Sequence, residues 1–82
     1  MDIREKYWAR ARKFAESYKV TPSQHIIEVM ASAMMTRDGV WNGGSFVQAI
    51  IKNDLAQAIE RADQDCLQNI RIIVLAHRFA HL

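Results

Sequence analysis

The chain has 82 residues, of which half are hydrophobic and about a quarter charged, and its formal net charge is +2. This composition excludes a disordered chain, and the length allows one small domain, residues 1–82, with a limited core. One cysteine excludes an internal disulfide, and no apolar run approaches the ~18 residues of a membrane span, so we expect a cytoplasmic protein with no membrane contact.

The first predicted helix covers residues 3–18 and combines an apolar face with a basic edge. Residues 1–19 hold six basic side chains against three acidic ones, so this end of the chain favours anions. The basic edge is formed by Lys6, Arg10, Arg12 and Lys13. Two interpretations stay open, a solvated helix face and a surface that contacts nucleic-acid phosphates or another partner.

The second predicted helix covers residues 22–36, with apolar residues recurring at helical spacing. A glycine-containing loop, residues 37–44, separates it from the next helix. Val40 and Trp41 stand in this loop, where polar residues are more usual. Trp41 therefore either folds back as a lid on the core, which we favour, or serves as an anchor for a partner.

The third predicted helix covers residues 45–61, and Asp54 falls within its apolar arc. Arg61 lies almost in line with Asp54, two turns later. A lone buried carboxylate costs several kcal/mol unless it is paired or hydrogen-bonded. We therefore predict that Asp54 and Arg61 are buried structural polar residues that fix how helices meet. The alternative is an acid or ligand in a pocket.

The fourth predicted helix covers residues 64–80, with Asp63 as its N-cap. It carries two apolar stripes on nearly opposite sides, and the second consists of Ile72, Leu75 and Phe79. A helix that is apolar on two sides is buried on two sides. It is therefore either the centre of a four-helix bundle or a surface for self-association as a homodimer, which we favour.

Groups with catalytic or metal-binding chemistry do not form a set in the sequence. His77 and His81 have the i, i+4 spacing of a metal pair but lack the glutamate that usually accompanies it and an evident third ligand. Cys66 lies three turns from His77, about 16 Å along a helix, too far for a nucleophile–base pair. We predict no catalytic residue, no metal and no cofactor, and hence not an enzyme.

Residues 43–63, "GGSFVQAIIKNDLAQAIERAD", resemble a pattern of small uncharacterised proteins encoded by phages and prophages. A glycine pair there precedes an aromatic-led apolar helix, then Asn-Asp-Leu, a spaced alanine and Ala-Asp. The matching positions are Gly43, Gly44, Phe46, Ala49, Asn53, Asp54, Leu55, Ala58, Arg61, Ala62 and Asp63. The resemblance covers about a quarter of the chain and implies a genome context without an assigned activity.

Size, the missing catalytic set and this resemblance together predict a phage-type accessory protein. We expect a compact bundle of about four helices that binds a host protein or ribonucleoprotein in the host cytoplasm. Such a protein is a takeover factor or an inhibitor of host defence, for example an anti-CRISPR. The alternative is a small nucleic-acid-binding accessory protein that uses the basic edge of the first helix.

Overall fold

The computed structural model describes residues 2–82, and within that range it contains six α-helices and no β-strand. The helices are α1 (Ile3–Ser17), α2 (Gln24–Arg37), α3 (Ser45–Ile51), α4 (Leu55–Arg61), α5 (Gln64–Gln68) and α6 (Ile70–Phe79). The predicted all-α class is confirmed, and the first two predicted helices are found within two residues of their predicted ends. None of the helices described is both long enough and apolar enough to cross a membrane.

The core is built around α2, which packs against α1, α3, α5 and α6. Its Ile26, Met30 and Met34 are completely buried, as is Ile73, which α6 contributes. Buried residues cover more than half of the circumference of α2. The central helix of this fold is therefore the second one and not the fourth predicted one, because α2 has the small and flexible apolar residues that pack on several sides.

Three helices end in the same way, with one residue in the left-handed region. These residues are Lys19 after α1, Gly39 after α2 and Asn53 after α3, with φ of 58°, 78° and 58°. In each case the N–H of the following residue donates to the carbonyl five positions earlier, at 3.0, 3.0 and 2.9 Å. This hydrogen bond satisfies a carbonyl that the helix leaves free and turns the chain sharply.

The third predicted helix, residues 45–61, is in fact two helices with a break at Lys52–Asp54. Asn53 adopts the left-handed conformation that asparagine tolerates better than most residues. Asp54 is extended and is the N-cap of α4, where its Oδ1 accepts a hydrogen bond from Gln57 N at 3.1 Å. The prediction of one continuous helix was wrong because Asn-Asp here supplies an end signal and a start signal in succession.

This break also overturns the prediction that Asp54 and Arg61 are buried. Asp54 is half-buried and Arg61 is exposed, with a long contact of 3.5 Å from its Nη1 to the carbonyl oxygen of Ser45. No polar or charged residue is fully buried in residues 2–82. The predicted apolar arc assumed that Asp54 continued α3, whereas the turn at Asn53 moves it off that face.

The fourth predicted helix, residues 64–80, is likewise interrupted, at Asn69. The side-chain Nδ2 of Asn69 donates to the carbonyl of Asp65 at 2.8 Å, and its backbone leaves the helical region. The predicted N-cap is confirmed, since Asp63 Oδ1 accepts from Cys66 N at 2.7 Å. The second apolar stripe, Ile72, Leu75 and Phe79, therefore lies entirely on α6.

Candidate functional site

A groove of about 510 Å³ lies between the α3–α4 hairpin and α6. The turn at Asn53 folds α4 back against α3, which gives one wall, and α6 gives the other. The apolar part of its lining consists of Ala49, Ile50, Leu55, Ala58, Ile70, Val74 and Leu75. A concave surface with this lining is typical of a site that binds an apolar group or side chain.

The α4 wall leaves large apolar side chains in water. Ala58 is buried against α3, but Leu55 and Ile59 are 67% and 47% exposed. Phe79, near the end of α6, is 55% exposed. Leu55 lines the groove, and an exposed large apolar side chain at a concave surface marks an interaction site more often than scattered hydrophobic residues do. The groove and its neighbouring side chains are therefore the strongest candidate for a functional surface.

Cationic groups flank this groove on the α6 side. Arg71 and Arg78 line it and are exposed, whereas Asp54 lines the end near the break between α3 and α4. Burial, followed by the nearby positive charges of Arg37 and Arg78, lowers the pKa of His77. His77 is therefore neutral at pH 7, and the positive charge of this rim comes from the two arginines.

Arg37 fixes the α6 wall through the carbonyls at its C-terminal end. Its Nη1 donates to the carbonyl oxygens of His77 and Ala80, both at 2.7 Å, and at 3.4 Å to that of Ala76. Carbonyls at the C-terminal end of a helix lack internal partners, although that of Ala76 also accepts from Ala80 N at 3.0 Å. Arg37 thereby joins the end of α2 to the end of α6.

The Arg37 guanidinium also binds the Asp38 carboxylate, which accepts a hydrogen bond from Tyr7 of α1. Arg37 Nε and Nη2 donate to the two carboxylate oxygens of Asp38 at 2.8 and 3.0 Å, and Tyr7 OH donates to Asp38 Oδ2 at 2.8 Å. Hydrogen bonds from Arg37 lower the pKa of Asp38, while burial and then the Asp38 hydrogen bond raise the pKa of Tyr7. Sequence reasoning missed this network, because Tyr7 and the α6 carbonyls are distant in the chain from Arg37 and Asp38.

The basic edge of α1 does not form one free patch. Lys6, Arg12 and Lys13 are exposed, but Arg10 is half-buried and its Nε donates to the carbonyl of His81 at 2.7 Å. Arg12 donates to the side chain of Gln24. Two of the four predicted contact residues therefore hold parts of the chain together.

Trp41 does not fold back as a lid. Trp41 and Val40 are 48% and 49% exposed at the loop between α2 and α3. The favoured interpretation of this loop was therefore wrong, because the turn at Gly39 directs the chain away from the core. The alternative, a partner anchor, stays a prediction.

The three residues predicted to mediate self-association have different environments. Ile72 is buried within the chain, so its assignment to a surface was wrong. The break at Asn69 changes the phase of α6 and turns Ile72 towards α2 and its neighbours. Leu75 is half-buried and lines the groove, and Phe79 is exposed. Only these last two lie where a partner can reach them.

The structure also places His25 beside Asp63 and Cys66, a grouping that no prediction from the sequence included. His25 Nε2 lies 3.2 Å from Asp63 Oδ2 and 4.0 Å from Cys66 Sγ. Burial, followed by its contact with Asp63, raises the pKa of the Cys66 thiol to about 12. No sequence motif predicts this cluster, because 38 residues separate its first two members.

This cluster does not have the geometry of a nucleophile–base–acid triad. In such a triad the acid orients one imidazole nitrogen while the other accepts the proton of the nucleophile. Here both Asp63 and Cys66 lie on the same nitrogen, Nε2 of His25. The raised pKa of Cys66 also opposes thiolate formation, so these residues do not form a cysteine-hydrolase site.

Comparison with protein-family models, curated proteins and solved structures found no match to this chain.

Proposed function

We propose that this protein is a non-enzymatic binding protein that holds an apolar segment of a host protein in the groove between α4 and α6. The observation that carries this proposal is the lining of the groove by seven apolar residues, of which Leu55 is largely exposed. Burying such side chains against a partner contributes a favourable free energy of about 25 cal/mol per Å² of apolar surface removed from water.

The positive charges beside the groove indicate which kind of segment it binds. Arg71 and Arg78 flank the groove on α6, so they favour a segment that carries acidic residues next to its apolar ones. Exposed charges at the rim of an interface act mainly on the association rate and on partner choice. The proposed occupant is therefore an acidic, amphipathic segment of a host protein, alone or within a ribonucleoprotein.

The proposed biological role is that of a phage-type accessory factor in the host cytoplasm. The resemblance of residues 43–63 to phage and prophage proteins supports this context. The residues of that resemblance support the binding role in a second way, because Ala49, Leu55 and Ala58 line the groove. A takeover factor or an inhibitor of host defence acts in this manner, by covering a surface of its target.

A pair of leucine substitutions tests the groove. Leu55 and Leu82 are 67% and 64% exposed, and only Leu55 lines the groove. Leu55→Glu places a carboxylate in the first turn of α4, where the helix dipole favours it, so this variant folds. We expect wild type and Leu82→Glu to capture the same protein from host lysate and Leu55→Glu to lose it. Equal capture by all three chains contradicts the proposal.

Light scattering distinguishes a host partner from a second copy of the chain. A wild-type mass near the monomer value of 9.4 kDa leaves the groove free for a host protein. A dimer that dissociates in Leu55→Glu but not in Leu82→Glu assigns the groove to self-association instead. That result replaces the proposed partner with the homodimer.

Nucleic acid is a second candidate partner, because Lys6 and Lys13 are exposed and lie two turns apart on the same side of α1. If they contact phosphates, DNA or RNA mobility shifts at low salt and the shift weakens steeply as salt rises. Charge reversal at both lysines then abolishes the shift. Unchanged mobility of DNA and RNA at low salt rejects this candidate.

A further inference from the structure

The cluster of His25, Asp63 and Cys66 lies on a second, smaller cleft of about 280 Å³. His25 belongs to the first turn of α2, Asp63 is the N-cap of α5, and Cys66 lies within α5. The side chains of His25 and Asp63 are 52% and 58% exposed, whereas Cys66 is buried behind them. One face of the cluster is therefore open to solvent and one is closed by the core.

The distances from the His25 nitrogen to the other two potential ligand atoms are close to those of a zinc site. Tetrahedral Zn²⁺ with its usual bond lengths places nitrogen about 3.4 Å from a carboxylate oxygen and about 3.6 Å from a thiolate sulfur. The corresponding distances here are 3.2 Å, from His25 Nε2 to Asp63 Oδ2, and 4.0 Å, from His25 Nε2 to Cys66 Sγ. All three ligand atoms lie within 4.8 Å of one another. The oxygen–sulfur side must close to about 3.6 Å in a zinc site, which side-chain shifts of up to about 1 Å achieve.

The charges of the cluster also suit a divalent cation. A zinc-bound thiol is deprotonated, so Asp63 and the Cys66 thiolate together neutralise Zn²⁺ while His25 stays neutral. Nearby, Arg61 lines the same cleft and Asp65 acts electrostatically on Cys66, so these two charges offset each other. Imidazole nitrogen with thiolate and carboxylate is a donor set that selects Zn²⁺ over Mg²⁺ or Ca²⁺.

We propose that His25 Nε2, Asp63 Oδ2 and Cys66 Sγ bind one Zn²⁺ and thereby connect the start of α2 to α5. Binding forms three metal–ligand bonds and releases the thiol proton of Cys66 to solvent. The fourth coordination position faces the open side of the cleft and takes a water molecule. The ion stabilises the fold, since it links the five-residue helix α5 to the central helix of a chain with a limited core.

Cobalt spectroscopy of the full-length chain tests this site directly. Co²⁺ replaces Zn²⁺ in tetrahedral sites and reports thiolate bonding through a near-ultraviolet charge-transfer band. We expect wild type to bind one Co²⁺ per chain with this band, and Zn²⁺ to displace it. Zn²⁺ raises the unfolding midpoint and a chelator reverses the rise, because the ion binds the folded state alone.

Three ligand variants and one control locate the site. Cys66→Ser loses the charge-transfer band, and His25→Gln and Asp63→Asn bind both ions more weakly. His25→Gln changes an exposed side chain, and Asn is as good an N-cap as Asp, so neither substitution unfolds the chain. His81→Gln, outside the cluster, behaves as wild type. No band in wild type, or Zn²⁺ affinity unchanged in His25→Gln, overturns the proposal.

Discussion

Replacing Arg37 with methionine tests whether one guanidinium holds the α6 wall of the groove in place. Methionine keeps an unbranched chain of similar length but removes every donor. The substitution leaves the carbonyls of His77 and Ala80 without a partner at the end of α6. It also removes the two hydrogen bonds to Asp38, so that this carboxylate keeps only Tyr7.

The size of the effect follows from the number and exposure of these hydrogen bonds. A hydrogen bond to a charged group contributes about 1.5–3 kcal/mol when it is shielded from water. Arg37 makes two such bonds of 2.7 Å to α6, and its side chain is 17% exposed. Water replaces part of what is lost, and Arg37 and Asp38 are neighbours in sequence, so their pairing contributes less. We expect a loss of about 2–4 kcal/mol, a large share of the ~5–15 kcal/mol typical of a domain.

Urea unfolding followed by far-ultraviolet circular dichroism measures this loss. Arg71→Met is the matched control, because Arg71 is an exposed arginine of α6 itself, and it changes stability by less than about 0.5 kcal/mol. Arg37→Lys restores only part of the loss, since one ammonium group cannot reach both Asp38 and the α6 carbonyls. The reasoning is refuted if Arg37→Met and Arg71→Met unfold at the same urea concentration.

Three further predictions concern stability and use the same unfolding measurement. The pKa of Asp38 is lowered in the folded state, so the stability that this carboxylate contributes is complete above its unfolded-state pKa and is lost as the pH falls below about 4. Asp38→Asn flattens that part of the profile of stability against pH. A Cβ on Gly43 would lie 2.7 Å from Val47 Cγ1, whereas one on Gly44 meets nothing within 4 Å. Gly43→Ala therefore costs about 1–3 kcal/mol and Gly44→Ala less than about 0.5, and equal midpoints contradict this packing. Asp54→Ala costs about 1 kcal/mol, as the loss of an N-cap does; complete unfolding of this variant would restore the buried-acid interpretation.

Local signals in the sequence predicted the parts of the fold that depend on neighbouring residues. The apolar spacing in α1 and α2 predicted both helices, and Asp63 was identified as an N-cap from its position before an apolar helix. Asp54 was predicted to be a buried structural residue within one helix. A residue that tolerates the left-handed region, here Asn53, followed by a capping acid is equally a signal for a helix break.

The candidate sites depended on contacts between distant residues, which the sequence does not encode locally. The groove exists because the turn at Asn53 brings α4 back along α3, beside α6. Arg37 reaches carbonyls about 40 residues later, and His25 meets Asp63 across 38 residues. Neither pairing leaves a spacing pattern in the chain, because helix packing, and not sequence distance, sets the distances between these atoms.

The sequence by itself determined the helical class, the ends of the first two helices and the absence of a membrane-spanning run. These features follow from backbone propensity, side-chain periodicity and hydrogen bonds within a few residues. Only the tertiary structure decided that α2 is the central helix, that Ile72 is buried while Trp41 is exposed, and that His25, Asp63 and Cys66 meet. The physical reason is that burial depends on which helix faces pack together, and the helix breaks at Lys52–Asp54 and Asn69 changed those faces.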